Sequence, residues 1–392
     1  MNLSIRRLVC LLCLALLWGS VSFVHARQGV TTSPAETSSP QAPVTLKEAA
    51  HGKFKVGVGV SARIATSEQD WPLLTSQFSI ITPENCMKPQ AIQPNEGDFH
   101  FQDADVFMKF AVQQKLQVVG HCLVWAKDDR TPSWWLKDGE IDVSKAVLLL
   151  RMKKHIDTVT QRYGDKISMW DVVNEALSDG GEGYLRDSVW SRTANEEFIV
   201  EAFQYARENC PDALLIYNDY QCDLPSKRAK LVRLLKSLKA QGAPVDAMGL
   251  QGHCELDSVP FKDLEATFAA MREIGMKVVI SELDIDVVKR NKWWSEGGKY
   301  RAELASFDPY KDGCPPEILQ RQADQYAELF RIFAANCDVI ARVSFWNLHD
   351  GQSWLNYFPW QRTNHPLLFD RQGVSKPAYD AVIKAMQPNI KE

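Results

Sequence analysis

The chain has no long run of lysine or arginine and, beyond its first 26 residues, no CxxC motif and no apolar stretch approaching the length that spans a bilayer. Its 45 basic side chains are outnumbered by 49 acidic ones, for a formal charge of -4, so the positive footprint that nucleic-acid binding relies on is missing and no nucleic-acid partner is expected. Cysteine is sparse: nine in 392 residues, two of them, Cys10 and Cys13, near the N-terminus. The other seven, Cys86, Cys122, Cys210, Cys222, Cys254, Cys314 and Cys337, are odd in number and widely spaced, which excludes a dense disulfide framework. Buried apolar thiols are the expected state, and no bridge can be assigned. There is no HExxH pair and no Cys/His cluster of zinc spacing, so neither a metal nor a cofactor is expected. Gly57 and Gly59 supply GxG without the closing glycine of a dinucleotide fingerprint.

The N-terminus carries a different signal. Arg6 and Arg7 precede an apolar run from Leu8 to Trp18, and Val24 and Ala26 are the small residues a signal peptidase accepts. Residues 1–26 therefore read as a secretory signal, with a retained membrane anchor as the alternative, and the protein is expected to be secreted or periplasmic. Cys10 and Cys13 do not follow the small residues that lipoprotein processing needs. Loss of the signal removes two positive charges, leaving 43 basic against 49 acidic side chains. Residues 27–43 are rich in Ser, Thr, Pro and Gln and read as a flexible linker. From Val44 onward the texture is uniform, with no second linker and no repeat, so residues 44–388 are expected to form one domain, a monomer without stable membrane association.

Within that domain eight short apolar runs alternate with amphipathic stretches. The expected strands are Phe54–Val60, Phe78–Ile81, Gln117–Val124, Ile167–Val173, Ala213–Tyr217, Ala247–Leu250, Lys277–Glu282 and Ile340–Phe345. Between them, segments such as 103–115, 144–163, 194–208, 227–240, 261–274 and 320–335 return apolar residues every three or four positions, as a helix with one buried face requires. Strand then helix, repeated eight times, argues for an α/β fold, a (β/α)8 TIM barrel of one domain. Residues 291–316 are too long and mixed for a plain connection and read as an extended loop after strand seven, whose Trp293, Trp294 and Tyr300 would serve as sugar platforms or pack the loop down.

The chemically informative residues lie where the strands end. WDVVNEAL (Trp170–Leu177) closes strand four and VVISELDID (Val278–Asp286) closes strand seven. In a barrel the carboxyl ends of all strands share one face, so Glu175 and Glu282 can converge there. Paired carboxylates are what glycosidic cleavage needs, one to protonate the leaving oxygen and one on the other side of the sugar. Asn174 precedes one glutamate and His253 ends strand six. Around the same edge gather Glu84, Asn85 and Lys88; His121 and Trp125; Asn218, Asp219 and Tyr220; Gln251; and Trp346. Hydrogen-bonding groups among tryptophans suit a carbohydrate. Of the 12 tryptophans, Trp134, Trp135 and Trp170 are expected to be ordinary core.

The ordered set ITPENCMKP (81–89), VVGHCLVW (118–125), WDVVNEAL, YNDY (217–220), LQGH (250–253), SELDI (281–285), FWNLHDGQSW (345–354), PLLFD and KPAY resembles family 10 of the glycoside hydrolases, the retaining endo-β-1,4-xylanases, over roughly residues 45–386. The resemblance implies Glu175 as general acid/base, Glu282 as nucleophile, His253 as the residue orienting Glu282, and Asn174 as the contact to the sugar 2-hydroxyl. It further implies that Glu84, Asn85, Lys88, His121, Trp125 and Gln251 line the glycone subsites, that Trp346 and Trp354 wall them, and that Tyr220 stands nearer the leaving side. The implied partners are xylan and xylo-oligosaccharides. The retaining mechanism calls for a raised pKa at Glu175 and a low one at Glu282. Three departures border the cleft: Ala126 in VWAKDDRTPSWW where histidine is usual, Asn347 where glycine is usual, and Gln221 where asparagine is usual. An endo-β-1,4-glucanase or mixed-linkage glucanase using the same pair, and a non-hydrolysing xylan-binding scaffold, are the competing accounts.

Overall fold

The computed structural model describes residues 44–290 and 303–387. The expected signal, the linker, and Trp293, Trp294 and Tyr300 lie outside the described residues. Eight parallel strands form the framework: β1 (Lys55–Val60), β2 (Ile80–Pro83), β3 (Gln117–Trp125), β4 (Met169–Asn174), β5 (Leu214–Asp219), β6 (Ala247–Leu250), β7 (Lys277–Asp286) and β8 (Ile340–Trp346). Each pairs with its sequence neighbour, and β8 pairs with both β7 and β1, so the sheet closes on itself. Helices return the chain between strands: α1 (Trp71–Gln77), α2 (Gln102–Gln113), α3 (Lys145–Tyr163), α4 (Glu197–Asn209), α5 (Pro225–Ala240), α6 (Phe261–Glu273) and α7 (Pro316–Ala335), with α8 (Pro377–Met386) following β8. This is the (β/α)8 barrel that the sequence pattern leads one to expect.

The strands are apolar almost throughout because both faces are covered, inward by the barrel core and outward by helices. The helices carry a single apolar stripe: Leu231, Leu234, Leu235 and Leu238 are the buried face of α5, and Ala323, Tyr326, Leu329, Phe330 and Phe333 that of α7. Proline at the first turn of α5, α7 and α8 sets their starts, where its missing N–H leaves no bond unmade.

Inside the barrel, Ile80, Val119, Met169, Ile216, Ala247 and Val279, one from each of β2 to β7, form a separate apolar cluster. Side chains further along the same strands toward their carboxyl ends become polar, with Thr82, His121, Asp171 and Asn218 all buried. The change of chemistry along each strand floors the site with hydrocarbon and leaves its mouth to hydrogen bonding. Two glycines show how tightly the interior is filled. A Cβ at Gly59 would sit 2.6 Å from the Trp346 ring, and one at Gly120 would sit 2.0 Å from the Trp170 ring, so both tryptophans occupy space that any side chain would claim.

His253 does not end strand six, which stops at Leu250; it opens a separate short strand, His253–Glu255, paired with Asp284–Asp286 of β7. Trp135 and Trp170 are buried core, as expected, whereas Trp134 is only partly buried and donates its indole N–H to Gln93 O at 3.2 Å. Five of the seven domain cysteines are buried, and Cys314 and Cys337 are partly so. Among the described residues no helix is long and apolar enough to cross a membrane.

Candidate active site

At the carboxyl ends of the strands the two glutamates are nearly inaccessible, each 6% exposed. A chain of amides joins them. Asn218 Nδ2 donates to Glu282 Oε1 and to Asn174 Oδ1, both at 2.9 Å, and Gln251 Nε2 donates to Glu175 Oε1 at 3.0 Å and reaches Asn174 Oδ1 at 3.5 Å. Asn218 is itself fixed from the other side, because Ser281 Oγ donates to its Oδ1 at 2.6 Å. Four strands, β4 to β7, thus supply or fix one hydrogen-bonded unit.

Glu282 also faces His253, with Nε2 3.2 Å from its Oε2, while His253 Nδ1 lies 2.9 Å from Asp284 Oδ2. Trp354 donates its indole N–H to that same Asp284 oxygen at 2.9 Å, and its ring centroid stands 4.8 Å from the imidazole. Burial alone would disfavour a charged His253, but the Asp284 carboxylate, then Glu282, raise it to about 9. Glu282 moves the other way: burial would raise it, yet the His253 hydrogen bond, the fields of His121 and His253, and the Asn218 amide hold it below the usual carboxylate value. Beneath Trp346, His121 is buried, with Nδ1 2.8 Å from Asp171 Oδ2 and its ring edge-on to Trp346 at 5.5 Å.

Glu175 sits in a left-handed conformation, φ 59, one residue past β4. The turn that imposes it is bonded from below: the Tyr217 hydroxyl accepts from both Ala176 N and Leu177 N at 3.1 Å, and Asp219 Oδ2 accepts from Leu177 N at 3.2 Å. A strained non-glycine residue held by buried bonds is a mark of a functional position. The raised pKa expected of Glu175 is not what the structure gives. Burial pushes it up, but Lys127 Nζ lies 2.7 Å from Oε2, and its positive charge, with the Gln251 hydrogen bond, brings the carboxyl below its usual value despite the charge of Glu282. The sequence expectation failed because Lys127 belongs to a loop whose path no periodicity reveals.

The remaining residues divide by side. Glu84 is partly buried, and burial raises its carboxyl against the opposing pull of Lys88 and Asn347. Lys88 donates to Asn85 Oδ1 at 2.9 Å and stands 4.9 Å over the Trp125 ring, while Asn85 is exposed. Tyr220 lies apart from these, among Lys127, Arg186 and Lys227, donating to Asp179 Oδ2 at 2.5 Å and accepting from Arg186 at 2.8 Å. Buried Lys227 bridges Asp179 and Asp219, each at 2.9 Å. Lys127, Asp171, Asp284 and Tyr217 are site residues that sequence reasoning passed over. Asp284 had a signal, two positions past Glu282 on the same face of the strand; Lys127 had none.

Two of the three departures have a backbone reason. Asn347 has φ 90 and Gln221 φ 54, both in the left-handed region where glycine and asparagine are at home. Asn347 uses its side chain as well, accepting from Trp354 N at 2.9 Å. Among the described residues no group of three or more His, Cys, Asp or Glu could hold a metal ion.

Two buried carboxylates joined through amides, inside a barrel mouth walled by tryptophan, are the equipment of a glycoside hydrolase. Residues 45–385 match Glycosyl hydrolase family 10, and the chain belongs to that family. An endo-1,4-beta-xylanase of Geobacillus stearothermophilus is 38% identical over 343 residues, spanning 86% of this chain and 98% of that protein. A family 10 endoxylanase retrieved from a sugarcane soil metagenome superposes with a TM-score of 0.80 at 36% identity, covering 88% of this chain and 100% of that one. A mutant solved in complex with xylotriose superposes with a TM-score of 0.79 at 32% identity, covering 87% and 99%.

Proposed function

We propose that the protein is a secreted or periplasmic endo-β-1,4-xylanase that hydrolyses internal bonds of xylan by double displacement with retention. The observation that carries the chemistry is the asymmetric support of two buried carboxylates, Glu282 by His253 and Asn218, Glu175 by Gln251 and Lys127. Family membership and the named xylanase relatives support the substrate class.

In the first half-reaction Glu282 attacks the anomeric carbon, the glycosidic C–O bond breaks, and the proton of Glu175 passes to the departing oxygen. In the second, Glu175 takes a proton from water as that water's oxygen bonds to the anomeric carbon and the ester to Glu282 breaks, restoring both side chains. A low pKa suits Glu282, which must attack as a carboxylate. His253 holds it in aim, Asn174 meets the 2-hydroxyl of the sugar, and Glu84, Asn85, Lys88, His121, Trp125, Gln251, Trp346 and Trp354 bind the glycone side. Tyr220 stands toward the leaving side. Trp346 and Trp354 crowd that wall against the hydroxymethyl group glucose carries and xylose lacks.

A time course on glucuronoxylan, arabinoxylan and carboxymethylcellulose, with Glu282→Gln alongside, tests this reading. Xylo-oligosaccharides from the wild type and none from the variant are expected. Cleavage of carboxymethylcellulose in preference to xylan would replace it with a glucanase, and binding without turnover with a sugar-binding scaffold. Export rests on the apolar run Leu8–Trp18 and the Val24/Ala26 pair. N-terminal sequencing of secreted protein should begin at Arg27, and a start elsewhere would overturn the cleavage site.

A further inference from the structure

Lys127 has a built position. Its carbonyl accepts from the Thr131 hydroxyl at 2.9 Å and from Arg130 N at 3.1 Å, and its own N–H bonds Trp125 O at 2.9 Å. Thr131 in turn accepts from the buried Trp190 indole at 3.1 Å. Asp128 takes the Val189 N–H at 2.9 Å, tying the loop to the helical segment Val189–Ala194. From this anchored backbone the side chain reaches over the Tyr220 ring, 5.2 Å from its centroid, to place Nζ 2.7 Å from Glu175 Oε2. Lys127 is the one cationic side chain among the described residues that pairs with the Glu175 carboxylate, and it remains partly exposed while its partner is buried.

The other charges around Glu175 are already committed. From β7, Glu282 opposes ionisation of Glu175 and is engaged by His253. From β5, Asp219 is paired with Lys227. From the loop after β4, Arg186 donates Nε to the Glu175 carbonyl at 3.0 Å and spends its other nitrogens on Asp179 and Tyr220. From the residue that follows β6 comes only the neutral amide of Gln251. The charge state of Glu175 therefore turns on Lys127 more than on any other neighbour.

We infer that Lys127 is a positioning residue for the reaction, holding Glu175 in its carboxylate form so that the water-activating half-reaction is favoured and the proton-donating one is confined to lower pH. The inference rests on the proposed roles of Glu175 and Glu282. Lys127 touches neither the sugar nor the attacked carbon in this scheme; it acts through Glu175. The same shift works in opposite directions on the two steps. Proton donation to a xylan leaving group needs Glu175 protonated, so an ammonium at 2.7 Å lowers the pH at which that step fails. Activation of water needs Glu175 ionised, so the same ammonium extends that step to lower pH.

The test uses full-length wild type, Lys127→Met and Lys127→Arg, each checked for an unchanged thermal transition. On xylan the alkaline limb of kcat/KM should move upward in Lys127→Met by about one to three pH units, the range an opposite charge within 4–6 Å commands. On 2,4-dinitrophenyl xylobioside, whose leaving group needs no acid, steady-state kcat follows water activation, and its rising limb should move upward in the same variant by a similar interval. Lys127→Arg should restore both limbs toward wild type. Limbs that stay within a few tenths of a unit in folded Lys127→Met would overturn the role of Lys127 while leaving the xylanase reading intact. Failure of the wild type to hydrolyse either substrate would instead sink the proposed function on which it rests.

Discussion

Asp284 offers the most discriminating perturbation outside the glutamates. It is fully buried, and its Oδ2 lies 2.9 Å from His253 Nδ1 while accepting the Trp354 indole N–H at 2.9 Å. Asp284→Asn keeps the shape and removes the charge. Burial by itself disfavours the imidazolium; Asp284 is the largest interaction opposing that, and with Glu282 it lifts His253 from 6.5 to about 9. At 1.36 kcal/mol per unit, the folded state retains the His253 proton by roughly 3 kcal/mol more than the unfolded chain does. Because this pKa is raised on folding, the stabilisation is fully present below 6.5 and disappears as pH climbs through about 9. Urea unfolding between pH 6 and 9.5 should show the wild type losing roughly 3 kcal/mol that the variant never had, so the two stability curves converge on the alkaline side. Labelled-histidine NMR should find the variant's His253 titrating well below the wild-type value. Xylan turnover should fall about ten- to hundredfold, the scale of a lost charge-assisted hydrogen bond. Parallel stability curves over that range would refute the reasoning, since they would mean the histidine does not change its charge there or that Asp284 does not set it.

Three further outcomes follow from packing and backbone geometry. At Asn347, φ 90 favours glycine over alanine, and only asparagine accepts the Trp354 N–H; Asn347→Ala should therefore cost about 1–2 kcal/mol, and Asn347→Gly less, an order that urea midpoints will check. Lys227→Met leaves the buried Asp219 without its cation and should destabilise by about 3–5 kcal/mol in thermal or urea unfolding. Gly59→Ala drives a methyl to within 2.6 Å of the Trp346 ring and should lower xylo-oligosaccharide affinity, measured by calorimetry, along with about 1–3 kcal/mol of stability.

The barrel was legible because a parallel sheet covered on both faces writes itself as apolar runs, and the runs alternate with 3.6-residue periodicity. The ends of the strands were less so. The second strand lies at Ile80–Pro83 rather than beginning at Phe78, because Phe78 closes α1, its N–H bonding Leu74 O. Strand seven continues past Glu282 to Asp286 because Asp284–Asp286 find a partner in His253–Glu255, a pairing between distant segments that neither sequence announces. The two glutamates stood out because each lies at or just beyond the end of an expected strand. Their supporting groups stood out unevenly: His253 and Gln251 were marked by the resemblance, Asn218 was visible only as a polar residue at the same edge, and Lys127 looked like one charge among several in 126–130.

That difference in legibility follows a difference in chemistry. Glu282 is gripped by Asn218 and by His253, whose ring is in turn held by Asp284, and all of these stand on strands or on a segment paired to one. Such a carboxylate is fixed in both charge and direction, as a group that must attack one carbon from one side requires. Glu175 is held in a strained turn, and its charge is governed by a half-buried lysine arriving from a loop. A group that must give up a proton in one half-reaction and accept one in the next cannot be locked into either state. The rigid support stands on strands and on a segment paired to one, of which His253 was legible and Asp284 was not; the adjustable one depends on where a loop side chain lands and becomes visible only in the fold.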